Sequence, residues 1–177
     1  MLPGTAWTSI PDRDAYGRMD VLINNAGIGI GAPIAEAETK KLDLQLGVNL
    51  RGVYLVLREA IPMLKDAGHE HGKALVVNTA SIAGKYGQGW LSMYSATKFA
   101  VVGLSQSAHR ELAGDGIQVT AFCPGFVDTA MTDWTKESVS DEMIQTRDIA
   151  EAVRFLLSTS PARIVPEIQF IRPGDTM

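Results

Sequence analysis

Four short apolar, β-branched runs, at residues 21–24, 74–78, 118–122 and 167–171, are separated by stretches whose apolar residues recur at three- and four-residue steps. Runs of this kind read as strands buried on both faces. Their alternation with helices is what a parallel sheet covered on both sides requires, so the fold class is α/β, in three layers. The first helical region spans about 36–64 and carries Leu42, Leu46, Leu50, Val53, Leu57 and Ile61 on one stripe, with a break expected at 49–52. A second, at 92–112, carries Ala100, Val101, Leu104, Ala108 and Leu112 and is expected to stop at Gly114. A third follows Asp148, an N-cap candidate with Glu151 three residues on, and runs through Ala152, Val153, Phe155 and Leu156 to a stop before Pro161. The polar stretch 130–142, which includes Met131, Trp134 and Val139, reads as a mobile insert or lid, and 84–89 as a second loop.

With 177 residues, 46% of them hydrophobic and 20% charged, the chain fits one globular domain, 1–177. A net charge of -4 argues against a surface built for nucleic acid or an anionic membrane. No apolar run approaches the ~20 residues of a membrane-spanning helix, and the start lacks the charged and apolar regions of a signal peptide. The expected setting is therefore cytoplasmic, with a small-molecule partner. Cys123, the one cysteine, lies inside an apolar run and reads as a small buried hydrophobe. His69-Glu70-His71 reads as a solvated loop, lacking further metal ligands at sensible spacing.

Tyr94-Ser95-Ala96-Thr97-Lys98 carries the chemistry. Residues four apart share a helix face, so Lys98 can hold a positive charge near the Tyr94 hydroxyl. A free phenol titrates at ~10, and a neighbouring ammonium is expected to lower that value and make Tyr94 an acid/base. Ser81, at the end of the preceding strand, is placed to hydrogen-bond a substrate oxygen.

Five ordered motifs now stand together: Asn24-Asn25-Ala26-Gly27, Val48-Asn49-Leu50-Arg51-Gly52, Asn78-Thr79-Ala80-Ser81, Tyr94 to Lys98, and Pro124-Gly125-Phe126-Val127-Asp128-Thr129. In order and spacing the chain resembles the short-chain dehydrogenase/reductase family, over roughly 19–173. The resemblance implies a Rossmann-like sheet and NAD or NADP as cofactor. It implies a catalytic tetrad of Asn49, Ser81, Tyr94 and Lys98, with Lys98 also binding the nicotinamide ribose and Asn49 holding a water in a proton relay. It places Asn24, Asn25, Ala26 and Gly27 along the adenine-side pocket, and Pro124, Gly125, Val127 and Thr129 at the nicotinamide end. It implies a homo-oligomer built on the helices at 50–64 and 92–112.

Gly27-Ile28-Gly29-Ile30-Gly31-Ala32 formally satisfies a dinucleotide-binding pattern, but Pro33 follows where a helix start is needed, and the motif order puts this loop beside the substrate. The family's Gly-rich phosphate loop lies well upstream of Asn24. Residues 1–20 are too few for a strand–helix–strand unit of ~30 residues, so the fold is expected to be N-terminally truncated. The expected reaction is interconversion of an alcohol and a ketone, and Trp90, Met93, Met131 and Trp134 point to an apolar substrate. The alternative is a catalytically impaired remnant that serves as a binding or oligomerisation module.

Overall fold

The computed structural model describes residues 16–135 and 143–173. Four strands, β1 (Val21–Asn24), β2 (Ala74–Thr79), β3 (Ile117–Pro124) and β4 (Glu167–Phe170), pair in sequence order, all parallel. Each expected strand is present, and β2 and β3 are buried almost end to end, as continuous apolar runs demand.

The helices are α1 (Thr39–Leu46), α2 (Val53–His71), α3 (Ser92–Leu112) and α4 (Thr146–Ser158). Leu57, Ala60, Leu64 and Ala67 of α2, with Ala108 and Leu112 of α3, pack on Leu22, Val76, Ile117 and Val119. On the opposite face Leu156, with Ile149, Ala152 and Val153, covers Leu75, Val77 and Phe122. The result is the expected three-layer α/β/α arrangement. β1 stands at one edge of the described sheet, with Ile23 exposed. Asn24, Thr79, Pro124 and Phe170 bring all four strand ends to one side, where ligands of open parallel sheets bind.

Several boundaries differ from the expectation. The break at 49–52 is a π-helical segment, Gly47–Gly52, joining α1 to α2 without a loop. α2 then runs on to His71, so His69-Glu70-His71 is the last helical turn and no loop; His69 Nε2 lies 3.3 Å from Asp115 and His71 Nε2 3.7 Å from Asp20. α2 ends at Gly72 (φ 71°). The left-handed glycine after α3 is Gly116 (φ 74°), beyond a 3-10 turn at Ala113–Asp115, and not Gly114. α4 is capped by Gln145, and Asp148 is its N3 partner in a reciprocal capping box, its carboxylate accepting from Gln145 N at 2.9 Å. At the other end of α4, Lys73 Nζ donates to Leu156 O (2.5 Å) and Thr159 O (2.7 Å), which satisfies carbonyls the helix leaves open. Of the expected insert, Ala130–Thr135 forms a 3-10 segment, and 136–142, with Val139, lies outside the described residues, as does the side chain of Trp134.

Candidate active site

β2 delivers Ser81 just past its end, where the serine caps a 3-10 turn, Ile82–Gly84, by accepting from Ala83 N at 3.1 Å. Gly84 lets this turn meet α3 backbone to backbone, since a Cβ there would come 2.7 Å from the carbonyl carbon and oxygen of Lys98. That close approach sets Ser81 beside the first turns of α3, where its hydroxyl favours ionisation of the Tyr94 phenol. The Ser81 hydroxyl also donates to Pro124 O at 3.3 Å, which ties β2 to the end of β3.

One turn along α3, Lys98 is buried, with Nζ 5.6 Å from the Tyr94 ring centroid and donating to Thr79 O at 2.8 Å. Burial pulls its ammonium down from 10.5 to about 8. The Tyr94 phenol moves opposite to the expectation. Burial pushes it above its ordinary value of 10, and the Ser81 hydroxyl offsets only part of the rise. The cost of removing a phenolate from water outweighs the help of Ser81, so in the free protein Tyr94 is a neutral acid at physiological pH.

Asn49 is 1% exposed and sits in the π-helical segment. Its Oδ1 accepts from Ile28 N (2.8 Å), while Nδ2 donates to Ile28 O (2.8 Å) and Thr97 Oγ1 (3.1 Å). With both amide protons engaged, this side chain clasps the loop after β1. Four residues earlier Gln45 does the same: its amide accepts from Ile30 N (3.1 Å) and donates to Ile30 O (3.3 Å). Sequence reasoning missed Gln45; a glutamine in the last turn of a helix carries no mark distinguishing it from a solvated one, and its apolar neighbours Leu44 and Leu46 are themselves exposed.

The same loop explains its glycines. A Cβ on Gly27 would lie 3.4 Å from Lys98 Nζ and 3.6 Å from Asn49 Oδ1; one on Gly29 would lie 3.6 Å from the Tyr94 ring; one on Gly31 would strike the Trp90 indole at 2.5 Å. Alternate residues of an extended segment face one way. The three glycines therefore form a side-chain-free face against Lys98, Tyr94 and Trp90, and the dinucleotide-like pattern is a wall of the site, followed by a short 3-10 turn at Ile34–Glu36.

Asn49, Ser81, Tyr94, Lys98 and Gly27 are thus brought together. Asn24 faces inward: its Nδ2 donates to Asn78 Oδ1 (2.8 Å), and Asn78 donates in turn to Ser105 of α3 (3.0 Å). Asn25 accepts from Thr79 Oγ1 (3.1 Å), and Ala26 is exposed beside it. Beyond β3, Gly125 N bonds Phe170 O (2.9 Å), Val127 bridges to Ile144, and Thr129 N meets Thr132 Oγ1 (3.3 Å), folding the 124–132 turn at the strand ends. Cys123 is buried in β3, with burial pushing its thiol up to about 12, and is inert.

Residues 12–140 match the family model described as short chain dehydrogenase. The chain belongs to the short-chain dehydrogenase family. Among its relatives, a 3-oxoacyl-(acyl-carrier-protein) reductase, FabG, of Thermotoga maritima is 31% identical over 169 residues, covering 90% of this chain and 67% of that protein. A 3-alpha-(or 20-beta)-hydroxysteroid dehydrogenase of Mycobacterium bovis is 39% identical over 135 residues, 75% of this chain and 50% of that one. Of solved structures, 3-ketoacyl-(acyl-carrier-protein) reductase from Brucella melitensis complexed with NADH superposes with a TM-score of 0.80 at 30% identity, over 90% of this chain and 68% of the other. An alcohol dehydrogenase from Thermococcus sibiricus complexed with 5-hydroxy-NADP gives 0.80 at 26%, over 92% and 66%. Short-chain dehydrogenases of known structure thus share this parallel sheet, and the chain spans about two thirds of their length.

Proposed function

We propose that the chain is a cytoplasmic NAD(P)-dependent oxidoreductase of a single catalytic domain, interconverting an apolar alcohol and ketone with Tyr94 as acid/base. The observation that carries this reading is the convergence of Tyr94, Ser81 and Lys98 beside the bare backbone of Gly27 at the strand ends. The site suits the nicotinamide half of the cofactor. Gly27 leaves free the space a side chain would fill above Lys98, and of the three N–H donors of Lys98 one is engaged by Thr79 O, which leaves donors for ribose hydroxyls. Pro124, Gly125, Val127 and Thr129 line the same end of the sheet, where backbone groups can hold the carboxamide side, and Asn24, Asn25, Ala26 and Gly27 border the cleft at β1. The relatives found with NADH and with 5-hydroxy-NADP support either form of the cofactor.

Bound cofactor supplies the hydride that reduces the carbonyl carbon, or accepts it in the reverse direction. The protein handles the proton. In reduction the Tyr94 hydroxyl, held neutral by burial, donates to the developing alkoxide oxygen, and the Ser81 hydroxyl turns its one proton from the long bond to Pro124 O onto the same oxygen. Lys98 supplies the nearby positive charge that limits the cost of the phenolate left behind. Asn49 also holds Ile28, and through it the glycine face, with both amide protons on protein partners and the second lone pair of Oδ1 left for a relay water. The exposed Tyr54 and Val56 of α2 and Phe99 of α3 offer apolar surface for a second copy, in keeping with a homo-oligomer.

Tyr94→Phe tests the assignment. We expect turnover of a ketone with NADH or NADPH to fall by ~10²-fold or more while cofactor affinity stays within a few-fold. Full activity in that variant would remove Tyr94 from the mechanism. A folded wild-type chain that binds neither cofactor would favour the oligomerisation-module reading instead.

A further inference from the structure

The geometry points to Gln45 as a positioning residue for substrate selection, acting through the Ile30 backbone on Gly31 and Trp90. Gln45 is 2% exposed, the one buried side chain of a helix otherwise turned to solvent, and it satisfies both Ile30 N–H and Ile30 C=O. A buried amide with two backbone partners is costly to place for packing alone, because an apolar residue of its volume would avoid desolvation. What it fixes lies one residue further on. Gly31 sits against the six-membered ring of Trp90, and Ala32 N donates to Trp90 O at 2.8 Å. Trp90 is held at φ 66°, a conformation that large side chains rarely adopt, and it keeps 53% of its surface exposed. Four residues on is Tyr94, whose ring faces Gly29 of the same segment.

One loop segment, 27–31, therefore backs the proposed acid/base ring and the exposed indole side by side, held by two amide clamps, Asn49 at Ile28 and Gln45 at Ile30. Clamp and indole occupy opposite ends of a short rigid path. If Ile30 is released, Gly31 can drift and Trp90 loses its seat, while Tyr94 stays on α3 and Gly29 stays near Asn49's anchor. The wall that meets the apolar part of the substrate changes; the groups that transfer the proton do not. The substrate consequence rests on the oxidoreductase reading above, whereas the positioning of Trp90 stands independently of it.

The test combines fluorescence with kinetics on the whole chain. Gln45→Met removes both hydrogen bonds at similar volume, and Gln45→Asn keeps the amide but shortens its reach, which covers failure of the first to fold. In a Trp7→Phe, Trp134→Phe background, only Trp90 emits. We expect either variant to add a fast local depolarisation to Trp90 emission. We also expect the ratio of kcat/KM for a bulky cyclic ketone to that for a small linear ketone to shift about tenfold, mostly through KM, with cofactor affinity retained. Trp90→Ala should shift the ratio similarly, and adding it to Gln45→Met should shift it little further. A folded Gln45 variant with unchanged Trp90 anisotropy, or an unchanged ketone ratio in an active enzyme, overturns the inference. If the wild-type chain turns over no ketone with either cofactor, the oxidoreductase reading fails, and Trp90 anisotropy alone decides the positioning role.

Discussion

Lys98 pairs a buried ammonium with a backbone carbonyl, and its titration makes stability depend on pH in a direction opposite to that of a surface lysine. Its folded value of about 8 lies below the unfolded 10.5, so between these limits the unfolded chain binds the extra proton and stability rises with pH. Below about 8 both states are charged and the full burial penalty remains. The unfolding free energy of wild type should therefore rise relative to that of Lys98→Met by on the order of 3 kcal/mol from pH 8 to 10.5, measured by urea titration. The same group should govern kcat/KM for ketone reduction, which falls as pH climbs past about 8 and the charge beside Tyr94 is lost. That Tyr94, Ser81 and Lys98 lie close together was legible in the motifs, because spacing on a helix and position at a strand end are local properties. The direction of the Tyr94 shift is not local: it depends on how much water the surrounding elements exclude, which no spacing of residues reveals.

At the scale of elements, α2 shows why a helix can hide in a sequence. Gly68 followed by His69-Glu70-His71 looks like a polar loop, yet the glycine is there because α2 crosses the turn after α3 at backbone contact. A Cβ at Gly68 would lie 2.1 Å from Asp115 O and 3.3 Å from Gly116 C. Gly68→Ala should cost about 1–3 kcal/mol in denaturant unfolding, since two backbones must part. Gly103→Ala, in α3 with open space around the site, should instead stabilise by ~0.5–1 kcal/mol. The strands were legible nearly to the residue because burial on both faces demands unbroken apolar runs. Gln45 was not, and neither was the seating of Trp90 on Gly31, since each contact joins residues far apart in the chain.

For the molecule as a whole, the four strand ends lie on one side of the sheet, where the proposed cofactor would bind. NADH or NADPH at 100 times its dissociation constant should raise the unfolding free energy by about 2.7 kcal/mol, read as an increase in Tm, with the preferred cofactor giving the larger increase at equal concentration. No shift with either would remove the cofactor from the proposed function. The architecture also gives the π-helical segment Gly47–Gly52 a mechanical meaning. α2 is fastened to the sheet through Leu57, Ala60 and Leu64, whereas α1 lies off the sheet against α3, with its helical phase set by the turn that precedes α2. Deleting a single residue from that turn, and letting it relax to ordinary helix, rotates everything upstream by about 100° around the axis. Gln45 would then swing away from Ile30 while the core stayed closed, so the wide turn acts as a phase setting: it decides which side of α1 looks into the cleft.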